Sequence, residues 1–203
     1  FKGWTFFQCI ENHLRGLGTM GIKWKDKTAH IAFDIDDKDG HAMDVHPIKE
    51  RIQAVLESFG RNCLAFRRHN GGVHIYYFLS RAMLRSTFMP RVKAKLERGL
   101  KRLGKSDMLR SGSIEIYPDG DRGLRLPLGD YFLVDLDTLE PLYASARGTK
   151  VHIDVEREIV HIIDFLTHGG RNTERSLVGR FGIRKTKTCH VSRTCHKKNG
   201  QKT

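Results

Sequence analysis

Apolar positions recur along the chain with two periods, and the switches between them mark out the elements. Ile48, Ile52, Val55 and Leu56 follow Pro47 at helical spacing and end before Gly60, which predicts a helix from Pro47 to about Phe59. Val92, Leu96, Leu100 and Leu103 predict a buried stripe on a second helix, one rich in Lys and Arg. Val155, Ile159, Ile162 and Leu166 predict a third over 155 to 167, with shorter helices at Thr5 to Leu14 and Thr173 to Phe181. Alternation at every second residue predicts strands through Ile31, Phe33 and Ile35, at Cys63 to Arg68, Val73 to Leu79 and Ser113 to Tyr117, and at Tyr131 to Val134. Weaker strand patterns lie at Met20 to Trp24 and Leu124 to Leu128. The "HNGG" between Arg68 and Val73 carries the Asn-Gly hairpin signal. Hairpin-linked strands interleaved with helices predict an α+β fold: a mixed or antiparallel β-sheet with helices packed on one face.

The polar halves of three strands are the chemically interesting ones. In "HIAFDIDDKDG" Asp34 and Asp36 share the face opposite Ile31, Phe33 and Ile35, with Asp37 following. Their Cβ atoms would lie about 6 to 7 Å apart, close enough for two carboxylates to close around hard cations. An acidic turn is an equally ordinary use of Asp-Lys-Asp-Gly. "GGVHIYYFL" turns His74 away from Val73, Ile75 and Tyr77, and "SIEIYP" turns Glu115 away from Ile114 and Ile116. A half-buried sheet would therefore show Asp34, Asp36, His74 and Glu115 on one polar face. Each alone reads equally as a packing histidine or a carboxylate facing water.

Composition narrows the partner more than the fold. The chain of 203 residues is 39% hydrophobic and 29% charged, which fits a globular domain with an appendage. No apolar run reaches the roughly 18 residues of a membrane span, and the start "FKGWTFFQCIENHLRGLG" does not read as a secretory signal. The initial Phe suggests a fragment excised from something longer. Cys9, Cys63, Cys189 and Cys195 are too few and scattered for a disulfide scaffold, so a reducing, cytoplasmic setting is expected. A net charge of +13 points to a polyanionic partner, nucleic acid before membrane. Ten Lys or Arg against Glu174 alone occupy residues 171 to 203, and ten more lie between Arg81 and Arg110. The organisation expected is a domain over 1 to 170, then a basic segment over 171 to 203 with a short helix and a tail or linker.

Taken in order, the motifs resemble the archaeo-eukaryotic primase superfamily, the primase-polymerases. That family has an apolar strand ending in Asp-x-Asp or Asp-x-Glu, a small-x-His strand and an apolar strand with a third acid. "IAFDIDD", "GGVHIYY" and "SIEIYP" supply these, and "DRGLRLPLG" looks like the basic element that follows the third acid. The resemblance covers roughly Gly21 to Val134 and is closest to primase-like domains of mobile-element and phage-type multidomain proteins. It implies an RRM-like catalytic core that adds nucleoside triphosphates to a strand on a single-stranded DNA template. It further implies two Mg²⁺ or Mn²⁺ ions on Asp34, Asp36 and Glu115, catalytic participation of His74, and triphosphate contacts from His74, Arg122 and Arg125. Arg67 and Arg68, just before the hairpin, are further candidate phosphate contacts. Arg91, Lys93 and Lys95 on the basic helix, with Arg184, Lys185 and Lys187 in the tail, are the candidate template contacts. The expected setting is a larger replication protein with helicase-like domains.

Two departures stand out: Gly72 occupies the small position where the family often has Ser, and Glu115 is longer than the commoner Asp. The zinc modules of many relatives would need clustered ligands, and Cys189, His190, Cys195 and His196 fit standard zinc spacings poorly. Two other functions use similar features: a two-metal nuclease and an inert nucleic-acid-binding module. "RGLRLPLG" favours the polymerase, because a nuclease has no need of an arginine pair for a free triphosphate.

Overall fold

The computed structural model describes residues 6–14, 21–22, 26–36, 46–68, 71–119, 123–125, 127–128, 131–147 and 150–179. In chain order the elements are α1 (Phe6–Leu14), β1 (Gly21–Ile22), β2 (Lys27–Ile35), α2 (His46–Phe59), β3 (Leu64–Arg68), β4 (Val73–Leu84), α3 (Arg85–Arg102) and α4 (Asp107–Arg110). They continue with β5 (Ile114–Tyr117), β6 (Leu124–Arg125), β7 (Tyr131–Val134), β8 (Ala144–Arg147), β9 (Lys150–Ile153), α5 (Val155–Thr167), β10 (Arg171–Asn172) and α6 (Glu174–Val178).

The central sheet runs β5-β2-β4-β3-β7 with every neighbour antiparallel. β4 is longer than β3, and β10 pairs in parallel with the part of it beyond β3, at Phe78 and Leu79. The fold is therefore α+β with a mixed sheet, as the periods predict. Two small ribbons, β1 with β6 and β8 with β9, stand beside it.

One face builds the main core. Ile31, Phe33, Ile35, Val73, Ile75 and Tyr77 meet Ile48, Ile52, Val55, Phe59 of α2 and Phe88, Val92, Leu96, Leu100 of α3. Side chains of this size, fully withdrawn from water, contribute about 1.5 to 3 kcal/mol each. α3 can lie close on α2 because Gly99 has no Cβ: one added there would fall 2.1 Å from Ser58 Oγ. Leu103, predicted in the buried stripe, instead follows the helix end and is 39% exposed, while Phe88 one turn before Val92 takes the buried place.

The opposite face differs from the expected open polar surface. Ala32, Leu64, Phe66, Tyr76, Tyr117, Tyr131 and Leu133 form a second buried cluster with Leu124 and Leu128 over it. α5 packs Ile159, Ile162 and Phe165 against it, so helices lie on both faces rather than one. The reason is compositional: Tyr76, Phe66 and Leu133 are too apolar to be left in water, and the stripe of α5 supplies their cover. α1 joins this side through Leu14, and His13 Nε2 donates to the Pro127 carbonyl at 3.1 Å. Residues 171 to 179 close onto the main core, with Leu177 fully buried there. None of the helices among the described residues is long and apolar enough to cross a membrane.

Candidate active site

Register decides which reactive side chains meet. Asp34 on β2 lies opposite His74 on β4 and opposite Glu115 on β5, so the three form one row across adjacent strands. Phe66 and Leu133 continue that row on β3 and β7. Directly opposed residues share a face and their Cβ atoms lie about 4.5 to 5.5 Å apart. Toward the mouth of the β3–β4 hairpin the next row is Tyr131, Arg68, Gly72 and Asp36, with Arg68 N–H bonded to Gly72 O at 3.2 Å.

His74 is 2% exposed, and its ring stacks on Tyr131 with centroids 4.4 Å apart. Its Nε2 lies 3.1 Å from Asp34 Oδ1. The alignment falls short of a hydrogen bond, which leaves Asp34 Oδ1 buried without a hydrogen-bond donor, and His74 Nδ1 on the other side of the ring is likewise buried without a hydrogen-bond partner. A carboxylate oxygen withdrawn from water in this way is costly unless a cation or donor reaches it. Asp34 keeps an opening, its side chain being 17% exposed. Glu115 is half-buried on the edge strand, where Tyr117 Oη donates to its Oε2 at 3.0 Å.

Asp36 sits just past the end of β2, and its backbone carbonyl accepts from the buried Arg51 guanidinium at 2.5 Å. Its carboxylate leans into the gap over Gly72, since a Cβ on that glycine would fall 2.7 Å from Asp36 Oδ1. The missing Ser hydroxyl of the family pattern therefore has a steric counterpart: Asp36 occupies the space it would need. Arg68 lies on the site face beside Tyr131, whereas Arg67 turns to the other side and donates to Leu139 O at 3.4 Å.

Three oxygen-donor side chains at the edge of one sheet suit a hard divalent ion better than a thiophilic one. The Asp34 oxygen without a hydrogen-bond donor and the neighbouring Asp36 carboxylate over Gly72 fit such an ion. Among the described residues no three Asp, Glu, His or Cys side chains already converge on one point. Glu115 is turned to Tyr117 and Asp36 to Gly72.

The remaining candidates divide. His74, implied as a triphosphate contact, faces Asp34 and Tyr131. Arg125 has its backbone in β6, paired with Gly21. Arg122, Arg184, Lys185, Lys187, Asp37 and the Cys189, His190, Cys195 and His196 set lie outside the described residues. α3 packs on the face opposite the acid row, so its basic residues are not brought to that row. Arg91 forms an ion pair with Glu174, and Lys95 Nζ donates to Leu177 O at 2.6 Å while lying over the Phe59 ring. Burial, together with Arg98 and Arg102, lowers the Lys95 pKa. Lys93 is exposed and lines a hollow beside β5.

Two contributors escaped the sequence reading. Tyr117 stands two residues from Glu115 on the same strand, so period two could have found it. Tyr131 reaches His74 only through a pairing across β3, which leaves no local signal. Compared with family models and with curated proteins, the chain matches no family model and no curated sequence.

Proposed function

We propose that this chain is a nucleotidyltransferase of the primase-polymerase type, adding nucleoside triphosphates to a strand on a single-stranded DNA template. The observation that carries the reading is the row of Glu115, Asp34 and His74 on three neighbouring strands, with Asp36 and Arg68 one row nearer the sheet's end. Support from the rest of the molecule is consistent but weaker: a net charge of +13 suits a nucleic-acid partner.

Asp34, Asp36 and Glu115 are the residues that would hold two Mg²⁺ or Mn²⁺ ions, and such ions would supply activation of a 3′-hydroxyl and charge neutralisation for the leaving pyrophosphate. Tyr117 orients Glu115 through its hydroxyl. His74, fixed flat against Tyr131, lies beside the buried Asp34 Oδ1 and holds that carboxylate in the row. Arg68 takes triphosphate oxygens with its planar fork, joined by Arg125 and Arg122 as the resemblance implies. The apolar floor of Phe66 and Leu133 keeps water from competing at the inner end of the row.

The test is incubation of the protein with single-stranded template, labelled nucleoside triphosphates and Mn²⁺ or Mg²⁺, with and without a primer. The expected result is template-dependent product. Metal-dependent template degradation without incorporation identifies a nuclease instead, and binding without either reaction identifies an inert module.

A further inference from the structure

We propose that the outer edge of β5 is a docking site for an extended segment of a partner protein, which adds to the sheet as a further strand with the pattern apolar, basic, apolar. The surface does not depend on the nucleotidyltransferase reading.

Which backbone groups of β5 face outward follows from the register. Arg68 N–H bonds to Gly72 O at 3.2 Å, so these two form a hydrogen-bonded pair, and alternation makes Phe66 with His74 the next. His74 therefore turns its backbone to β3, while Val73 and Ile75 turn theirs to Ile35 and Phe33 of β2. Asp34 and Ala32, at the alternate positions of β2, bond to Glu115 and Tyr117 of β5. Because β5 ends the sheet, Ile114 and Ile116 are left with N–H and C=O pointing outward, and neither has a backbone partner there among the described residues. Open groups of this kind are a template for another strand. Pro118, at the next outward position, has no N–H and ends the ladder.

Side chains set the pattern of the occupant. Residues directly opposed across antiparallel strands share a face, so those facing Ile114 and Ile116 point to the α3 side. There a hollow of about 530 Å³, walled by Met89, Leu109 and Ile116, takes apolar side chains. A second hollow runs on past Pro118 to Leu84, which is 50% exposed. The residue between the two apolar ones lies opposite Glu115 on the other face, where a Lys or Arg is attracted and an acid repelled. The same carboxylate argues against a second copy of this chain as the occupant. The two-fold pairing that sets Ile114 against Ile116 of that copy also sets one Glu115 directly against the other.

The experiment titrates the ¹⁵N-labelled protein with capped heptapeptides whose core is Val-Arg-Val or Val-Glu-Val in Ser and Thr flanks. It reads affinity and hydrogen exchange at the Ile114 and Ile116 amides. In the free protein both amides should exchange fast. The Val-Arg-Val peptide should bind about tenfold more tightly than Val-Glu-Val and protect both amides. N-methylation of either core Val, whose N–H faces β5, should remove most of the binding, whereas N-methylation of the core Arg, whose N–H faces away, should not. Glu115→Lys should reverse the order of the two peptides, and the wild-type comparisons stand if this variant fails to fold. No binding by Val-Arg-Val, equal binding of the two peptides, or binding that leaves both amides unprotected overturns the inference. Slow exchange of both amides in the free protein at every concentration assigns the edge to another segment of this chain. Protection that grows with protein concentration alone assigns it to a second copy, and either result also overturns the inference.

Discussion

Gly72 is the residue where the site's packing is tightest. Its missing side chain leaves the gap that Asp36 enters, and a Cβ there would meet the end of a flexible carboxylate rather than fixed backbone. Gly72→Ala should therefore displace Asp36 at little cost to the fold, less than about 1 kcal/mol. Mn²⁺ affinity should fall severalfold, read by titration against the paramagnetic signal of the free ion, with a melting temperature close to that of the wild type. Unchanged Mn²⁺ affinity would show that Asp36 is not a ligand. The reason this contact escapes a reading of the sequence is plain at this scale. Alternation put Asp34 and Asp36 on one face, but which residue of a distant strand faces Asp36 depends on the register of β2 against β4.

At the level of elements, the same division holds between what neighbours along the chain decide and what distant pairings decide. The strands β2, β3, β4, β5 and β7 and the helices α2, α3 and α5 were legible because each repeats its own apolar period. The two-residue strands β1 and β6 fall inside the weaker patterns at Met20 to Trp24 and Leu124 to Leu128, whereas β10 and the β8–β9 ribbon are too short or too polar to carry a period. Cover of the second face was equally hidden, since nothing local says that the stripe of α5 lies over Leu133 and its neighbours. That packing buries Glu158 completely, with Oε1 accepting the Leu133 N–H at 2.6 Å and Oε2 unpartnered.

Burial raises the Glu158 carboxyl to about 7, against the Leu133 N–H, which lowers it, and with Asp154 adding repulsion. From its ordinary 4.5 up to about 7, the folded chain keeps a proton that the unfolded chain has lost, so stability falls as pH rises through that window. The loss should be on the order of 2 to 3 kcal/mol, one pKa unit being worth about 1.4 kcal/mol. Glu158→Gln keeps the acceptor for Leu133 and should flatten the decline in melting temperature between pH 5 and pH 8. A variant with the wild-type slope would assign the pH dependence elsewhere.

Over the whole molecule, the distribution of positive charge matters more than its total. Arg91 and Lys95 hold the segment around α6 against α3 on the side of the sheet away from the acid row. Neutralising them, as Arg91→Ala and Lys95→Ala, should lower the melting temperature and leave the salt dependence of single-strand binding unchanged. Deleting residues 183 to 203, which carry seven Lys or Arg and no acid, should instead reduce the slope of log affinity against log salt and spare the melting temperature. The opposite pattern would place the nucleic acid across α3. Fluorescence anisotropy over a salt series, with thermal melts of the same samples, reads both.

The central claim is that the row of acids performs nucleotidyl transfer, and the most direct measurement compares template-directed incorporation by the wild type, Asp34→Asn and Glu115→Gln with Mn²⁺. Asp34→Asn removes the charge of a buried oxygen that lacks a hydrogen-bond donor, and Glu115→Gln still accepts from Tyr117, so both variants should melt near the wild type. Incorporation should fall at least about a hundredfold in each, the loss of roughly 2.7 kcal/mol or more of transition-state stabilisation. Template binding should be retained. Folded variants that incorporate nucleotides within a few-fold of the wild type would contradict the account.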